Sequence, residues 1–363
     1  MSSYIICTSR PGKSIPNYFF AFAEGLVNKG NQVILVCDLK YNKETSRNGI
    51  EITHWPNDRP TKLNDALFFL KLCRSFKPDV VLGQFGSKII TMSISKFLGI
   101  RNRVIYHHTL SDQLRHDLGK INRKNQFIQN IVYNKFSTLV IANSRATKED
   151  VENTYSLNTG MTHVLPYLLK DVNRNESIRT KENRKEEILF VSRIDPSKGH
   201  SLIIEQISSV LQKFPKLQFT FIGKGSEIKS LQARCIELGI DKSVNFLGFV
   251  KPLEVYEYMK SALIHISASR AEAFGLVNIE ALCCGTPILG PKTGGIADII
   301  KDGESGYFYD PEDFGDLGEK IEKVFSNWEE HSIKARKYFD DYYSIENSKT
   351  VSNQIEEFES FLH

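Results

Sequence analysis

The chain has 363 residues, 41% of them hydrophobic and 25% charged, a composition that fits a soluble protein of about two globular domains. No apolar run approaches the ~18 residues a bilayer span requires, and the start, MSSYIICTSR, lacks the basic and long apolar regions of a signal peptide. Six scattered cysteines without a C-x-x-C pair argue for reduced, buried thiols in a cytoplasmic protein and against a disulfide framework or zinc site.

In the first half, short apolar runs at 4–8, 32–37, 80–82, 103–107, 138–143 and 162–165 read as strands. The helical periods between them lie at 19–27, 63–76, 89–98, 114–136 and 146–155. Alternating β and α with β-branched strands predicts a parallel sheet covered on both faces. The stretch 169–187 is almost wholly polar after Lys170 and reads as a linker. The alternation then restarts, with strands at 188–192, 217–222, 244–247, 263–266 and 306–309 and helices at 201–214, 227–238, 253–260 and 314–325. The expected architecture is therefore α/β, with two tandem Rossmann-like, doubly wound domains at 1–168 and 188–344. An aromatic, helical tail needs a surface on which to bury its apolar stripe.

Charge divides the same way. Residues 1–170 carry 23 Lys+Arg against 12 Asp+Glu, and residues 171–363 carry 24 against 31. The stretch 114–136 adds a basic amphipathic pattern. Together they suggest contact with an anionic membrane surface; a core-facing helix with a solvated basic face is the plain alternative.

Ligands of open α/β sheets bind beyond the carboxyl ends of the strands. After the strand at 188–192 comes Ser192-Arg193-Ile194-Asp195-Pro196-Ser197-Lys198-Gly199. Its Arg offers a planar fork and its Lys a mobile point charge, both suited to phosphate oxygens at a helix start. After the next strand comes Gly223-Lys224-Gly225. After the strand at 263–266 comes a turn, Ala273-Phe274-Gly275, then a short apolar helix, a Gly-Thr-Pro break and a Thr-Gly-Gly turn. Two glutamates eight residues apart, Glu272 and Glu280, bracket the turn. Glu280 sits among Val277, Ile279, Leu282 and Cys283, so its carboxylate needs a hydrogen-bonding partner. A ribose hydroxyl pair would serve, beside the plain reading of an amphipathic glutamate.

In this order and spacing, S-R-I-D-P-S-K-G-H, F-I-G-K-G-S-E, V-N-F-L-G-F-V and E-A-F-G-L-V-N-I-E-A-L-C-C-G-T-P-I-L-G-P-K-T-G-G-I-A-D-I-I resemble glycosyltransferase family 4. These are retaining, nucleotide-sugar-dependent enzymes of the GT-B fold. The specific likeness covers about residues 188–310; the first half matches in architecture more than in motif. The resemblance implies that Glu272 contacts the transferred sugar and Glu280 the ribose, as the two ends of an E-x7-E motif. It implies that Arg193 and Lys198 bind the diphosphate, with the amides of Phe274, Gly275 and Leu276. Gly223 would lie at the donor, and backbone near Phe249 and Val250 would meet the base. His108 matches the active-site histidine, with His107 its rival. Gly12 stands in the loop that closes over the phosphates, although Ser9–Ser14 departs from the usual Gly-Gly form.

The resemblance further implies two domains facing across a cleft, donor on the C-terminal side and acceptor on the N-terminal side. A tail helix at 345–363 would return to the first domain through a crossing at 338–344. With no D-x-D pair in a plausible loop, neither metal nor other cofactor is expected. The implied reaction moves a hexosyl group from a nucleoside-diphosphate sugar, UDP before GDP, to a glycan or lipid-linked acceptor in cell-surface polysaccharide synthesis, on or near the inner face of the membrane. Nucleic acid is not an expected partner. A nicotinamide dehydrogenase would need G-x-G-x-x-G after the first strand, which is absent. A retaining glycosidase would need carboxylates about 5 Å apart, and eight helical residues span roughly 12 Å. A sugar-nucleotide epimerase or hydrolase of the same fold, and a non-catalytic glycan- or membrane-binding protein, stand as alternatives.

Overall fold

Val, Ile, Leu and Phe fill both faces of nearly every central strand, the pattern of parallel sheets packed between helices. The computed structural model describes residues 1–9, 14–38, 45–57, 60–112, 123–174 and 176–362. They form two compact units, Met1–Lys170 with Ile345–His363 and Asp171–Ser344.

The first unit holds one eight-stranded sheet. Its strands are β1 (Ser3–Cys7), β2 (Gln32–Cys37), β3 (Ser46–Arg47), β4 (Ile50–His54), β5 (Val80–Gln84), β6 (Asn102–His107), β7 (Leu139–Ala142) and β8 (Thr162–Val164), in the order β3-β4-β2-β1-β5-β6-β7-β8. All neighbours pair in parallel except β3 with β4. The β3–β4 hairpin escapes a reading by apolar runs alone. Its signal is Asn48-Gly49, with φ of 49° and 80°. Positive φ at both central residues is what a tight hairpin turn demands, and Ile50 and Ile52 alternate inward from it.

The tail completes this unit. Helix Ser348–Phe361 lies on helix Ser14–Asn28, with Phe22 and Phe358 edge-on at 5.3 Å. A Cβ added at Gly25 would come within 2.2 Å of Ile355 Cδ1, so that glycine admits the returning helix. The crossing is shorter than expected. Tyr338, Phe339 and Tyr342 belong to helix Trp328–Tyr342 of the second unit, and only 343–347 separates the two helices. Of the basic stretch 114–136, residues 114–122 lie outside the described residues. Arg123–Ile131 is α-helical, with a wider π-type turn over Val132–Phe136. Among the described residues no helix is long and apolar enough to cross a membrane.

The second unit holds β9 (Glu187–Val191), β10 (Gln218–Ile222), β11 (Val244–Gly248), β12 (Ile264–Ile266), β13 (Ile288–Gly290) and β14 (Gly306–Phe308). They form a wholly parallel sheet in the order β11-β10-β9-β12-β13-β14. Strand β13 is the element hidden by the Gly-Thr-Pro break. Three residues long and fully buried, it is too short to show a period. All six cysteines are buried and free.

The polar stretch expected as a linker is part of this unit. Arg184 is buried, and its guanidinium donates to the carbonyls of Met259 (3.1 Å), Ala262 (2.8 Å) and Cys284 (2.9 Å) and to Thr286 Oγ1 (2.6 Å), over the Trp328 ring. One charged side chain thereby satisfies carbonyls from two chain segments, 259–262 and 284. Arg184→Met should orphan those carbonyls and destabilise the unit by about 3 kcal/mol, read as a lower urea midpoint in a denaturation curve.

Candidate active site

Numbered from its first strand, the second sheet runs 3-2-1-4-5-6, so the strand order reverses between β9 and β12. That reversal is where open α/β sheets bind ligands. The loops after these two strands carry the paired motifs, and they meet. Lys198 Nζ lies 2.6 Å from Glu272 Oε2, with side-chain exposures of 8% and 19%. Ser269 Oγ donates to the same carboxylate at 3.3 Å, and Arg270 N–H donates to the Ser197 carbonyl at 3.2 Å. Gly199, at φ 68°, allows this approach, since a Cβ there would stand 2.2 Å from the Ala268 carbonyl oxygen.

Each loop ends by starting a helix. Gly199 precedes His200–Lys213, and Gly275, at φ 94°, precedes Leu276–Cys283. Two helix N-termini, each with orphan N–H groups and a positive dipole end, thus start beside the Lys198–Glu272 pair. The Phe274 ring is turned inward, buried edge-on to Tyr343. Glu280 is half-buried in the helix and hydrogen-bonds the Tyr256 hydroxyl, whose pKa is raised by burial and by this carboxylate.

Arg193 is half-exposed and pairs with Asp195 at 3.1 Å. Asp195 also accepts from Ser226 N–H at 3.0 Å, tying the β9 loop to the loop after β10. Gly223 is required by packing: a Cβ would fall 1.8 Å from the Ser192 carbonyl oxygen. Its N–H donates to the Gly248 carbonyl at 2.8 Å. Beyond β11, Phe249 is exposed under the Lys224 ammonium (5.6 Å to the ring centre), and Val250 is half-buried. Among the described residues no three His, Cys, Asp or Glu side chains cluster as metal ligands would.

Several neighbours of these loops were not among the site residues expected from sequence. The Thr293-Gly294-Gly295 turn after β13 presses on the Glu272 backbone: Gly295 N–H donates to the Glu272 carbonyl at 2.7 Å, and a Cβ on Gly294 (φ 52°) would reach 2.4 Å from that oxygen. His200 Nε2 is 3.0 Å from Ser192 Oγ. Burial, then the Lys198 charge, lowers its pKa to about 4. His265, buried on β12, is likewise lowered by burial to about 4. The glycine pair was visible as a turn and His200 as the last residue of the S-R-I-D-P-S-K-G-H run; His265 carried no local signal beyond its type.

In the first unit, His107 and His108 end β6. His107 is committed to the fold, Nδ1 lying 2.7 Å from Tyr133 Oη and Nε2 2.8 Å from the Thr109 carbonyl. Burial lowers its pKa to about 3. His108 uses Nδ1 toward Tyr167 Oη and stacks on Phe85 at 4.2 Å, while its Nε2 has no hydrogen-bond partner among the described residues. Of the two, His108 keeps a nitrogen for other chemistry. Gly12 lies outside the described residues.

Two doubly wound units, one with its charged pair at the strand-order reversal, define a protein of the GT-B glycosyltransferase type. Comparison with known proteins agrees. Residues 15–167 match the family described as Glycosyltransferase Family 4, and residues 171–342 match Glycosyl transferases group 1. The chain belongs to these glycosyltransferases. The D-inositol 3-phosphate glycosyltransferase of Corynebacterium jeikeium is 30% identical over 214 residues, 54% of this chain and 50% of that protein. The 2-deoxystreptamine N-acetyl-D-glucosaminyltransferase of Niallia circulans is 28% identical over 150 residues, 41% of this chain and 39% of that protein. The chain therefore spans half or less of the length of these curated relatives. Among solved structures, Anabaena Alr3699/HepE in complex with UDP has a TM-score of 0.71 at 19% identity, covering 99% of this chain and 100% of that one. A glycosyltransferase from Rickettsia africae has 0.73 at 16%, covering 99% and 98%.

Three buried histidines kept neutral give a pH prediction. Their folded pKa values of about 3 to 4 lie below the ordinary 6.5, so the unfolded chain binds more protons between those limits. Their contribution to stability is complete above pH 6.5 and is lost as pH falls toward 4. Thermal melts should show the midpoint dropping across that window, with a smaller drop in His265→Asn.

Proposed function

We propose that the chain is a retaining, metal-independent hexosyltransferase using a UDP-sugar and a glycan or lipid-linked acceptor, in cell-surface polysaccharide synthesis. The Lys198–Glu272 contact carries this reading. It joins a phosphate-seeking cation to a carboxylate suited to sugar hydroxyls, at the strand-order reversal and beside two helix N-termini. A nucleotide donor also accords with the UDP complex of the Anabaena structural neighbour.

In this reading the diphosphate lies along the first turns of helices His200–Lys213 and Leu276–Cys283, and Arg193 and Lys198 stabilise the charge it gains as the anomeric C–O bond breaks. Two fixed cations supply the neutralisation a divalent ion otherwise gives. Glu272 orients the sugar hydroxyls and Glu280 the ribose. The acceptor oxygen bonds to the anomeric carbon on the face the phosphate leaves, and the departing phosphate oxygen takes the acceptor proton. Configuration is thereby retained without a dedicated base.

Thermal-shift screening against UDP-, GDP- and ADP-sugars, followed by turnover with lipid extracts, tests the assignment. UDP-sugars should stabilise the protein, EDTA should leave turnover unchanged, and Arg193→Ala or Lys198→Ala should lower kcat about 100-fold. Loss of turnover in EDTA with recovery in Mg²⁺ would refute metal independence.

We also propose that the cationic first half docks on an anionic membrane surface, as its charge surplus and the exposed Phe127 and Ile128 favour. Cosedimentation should occur with phosphatidylglycerol-rich vesicles, fail with phosphatidylcholine vesicles and weaken in high salt. Equal binding to both vesicle types would remove this part of the reading.

A further inference from the structure

A chain of hydrogen bonds runs through the first unit beside His108, and no step of the proposed transfer uses it. It begins at Lys88, the first residue of helix Lys88–Phe97, which follows the loop after β5. The Lys88 side chain is half-buried, and among the described residues no carboxylate pairs with it. Interior cations without a counter-ion are uncommon. Burial lowers its pKa, the mark of a poorly solvated ammonium. Its Nζ donates to Tyr133 Oη at 3.0 Å and lies 5.0 Å from the centre of that ring. Tyr133 Oη is in turn 2.7 Å from His107 Nδ1, and His107 Nε2 is 2.8 Å from the Thr109 carbonyl.

Each bond in this chain runs one way. The Thr109 carbonyl only accepts, so the His107 proton sits on Nε2. Burial keeps that ring neutral, which leaves Nδ1 to accept the Tyr133 proton. An ammonium only donates, so Tyr133 Oη accepts from Lys88. The other His107 tautomer would set a lone pair against the carbonyl. The backbone also departs from the ordinary to make the chain. Tyr133 stands in the π-type turn Val132–Phe136, a rare form that is frequent at functional sites. Tyr155 stacks on its ring at 4.2 Å. The chain ends on the two neighbours of His108, since His107 precedes it and Thr109 follows it. Just beyond, Ser111 N–H and hydroxyl each donate to Asp150 at 2.9 Å. The His108 ring itself stacks on Phe85, three residues before Lys88. The loop after β5 therefore reaches His108 twice, directly through Phe85 and indirectly through Lys88.

We propose that Lys88 and Tyr133 are positioning residues for His108, acting through His107 to fix the backbone turn from which the His108 ring projects. The proposal rests on the glycosyltransferase reading, in which His108 is the active-site histidine. Neither Lys88 nor Tyr133 needs to touch substrate for this. A group misplaced by about 1 Å can lose on the order of 100-fold in rate. Cutting one link loosens the turn without removing it, so about tenfold is expected.

Two measurements on the full chain test it. In histidine ¹⁵N NMR, His107 should show the Nε2–H tautomer. Lys88→Met and Tyr133→Phe, which keep much of the side-chain shape, should each shift the His108 ring signals. Lys88→Arg still donates and should leave them near their original positions. Turnover is then measured with the UDP-sugar that best stabilises the protein and lipid extract as acceptor. Lys88→Met and Tyr133→Phe should each lower kcat about tenfold with the donor KM unchanged. The double variant should be no slower than Tyr133→Phe alone, because both changes cut one chain. A lower melting temperature with kcat and the His108 signals unmoved would overturn the inference, as would losses that multiply in the double variant. If the unaltered protein turns over no UDP-sugar, the donor reading fails instead. The positioning of His108 then stands if its signals move in Lys88→Met and falls if they do not.

Discussion

The contact between Lys198 and Glu272 is the constraint around which the second unit is arranged. A largely buried ammonium and carboxylate tolerate burial only together, because removing either leaves an uncompensated charge in a poorly solvated place. Holding them together requires the loops after β9 and β12 to touch along their backbones, which explains glycine at 199 and again at 294 and 295. Each lies against a carbonyl where a side chain would collide. The pair also sets the terms on which a phosphate arrives. Lys198 already has an anionic partner, so under the proposed function a diphosphate would compete for or share it, and Glu272 would turn toward hydroxyl groups. In that reading the two parts of a donor are coupled through one ion pair.

Much of this was legible in the sequence because it is written in local signals. Strand and helix alternation showed in both halves, and the Arg193, Lys198, Glu272 and Glu280 spacings brought forward the loops that meet at the strand-order reversal. What stayed hidden was tertiary. Strand β13 is three residues long and reads as a break because Pro287 precedes it. The polar run before β9 looks like a linker by composition, yet Arg184 makes it structural by reaching carbonyls about 75 to 100 residues away. The β3–β4 hairpin did carry a local signal, Asn48-Gly49, which apolar runs alone do not register. The choice between His107 and His108 could not be made from adjacent identical residues. What separates them is tertiary: Tyr133 and the Thr109 carbonyl occupy both nitrogens of the His107 ring.

Two polar side chains of the first unit, Gln84 and Thr8, contrast with two of the second, Arg184 and Asp195. Arg184 and Asp195 satisfy their surroundings wholly from within the protein, whereas Gln84 Oε1 and Thr8 Oγ1 do not. Saturated networks hold a shape. Unsaturated ones at the mouth of a sheet are where chemistry from outside the chain enters the balance.

The helix Ser348–Phe361 has a consequence for biosynthesis. Its Ile355 and Phe358 cover apolar surface of helix Ser14–Asn28, which leaves the ribosome more than 300 residues earlier. Helix Ser14–Asn28 therefore lacks the cover of its outer face while the whole second unit is made. During that interval the nascent chain exposes the kind of surface that chaperones bind and that promotes aggregation. The second unit, continuous in sequence, can close first, so the half translated earlier is the half finished last.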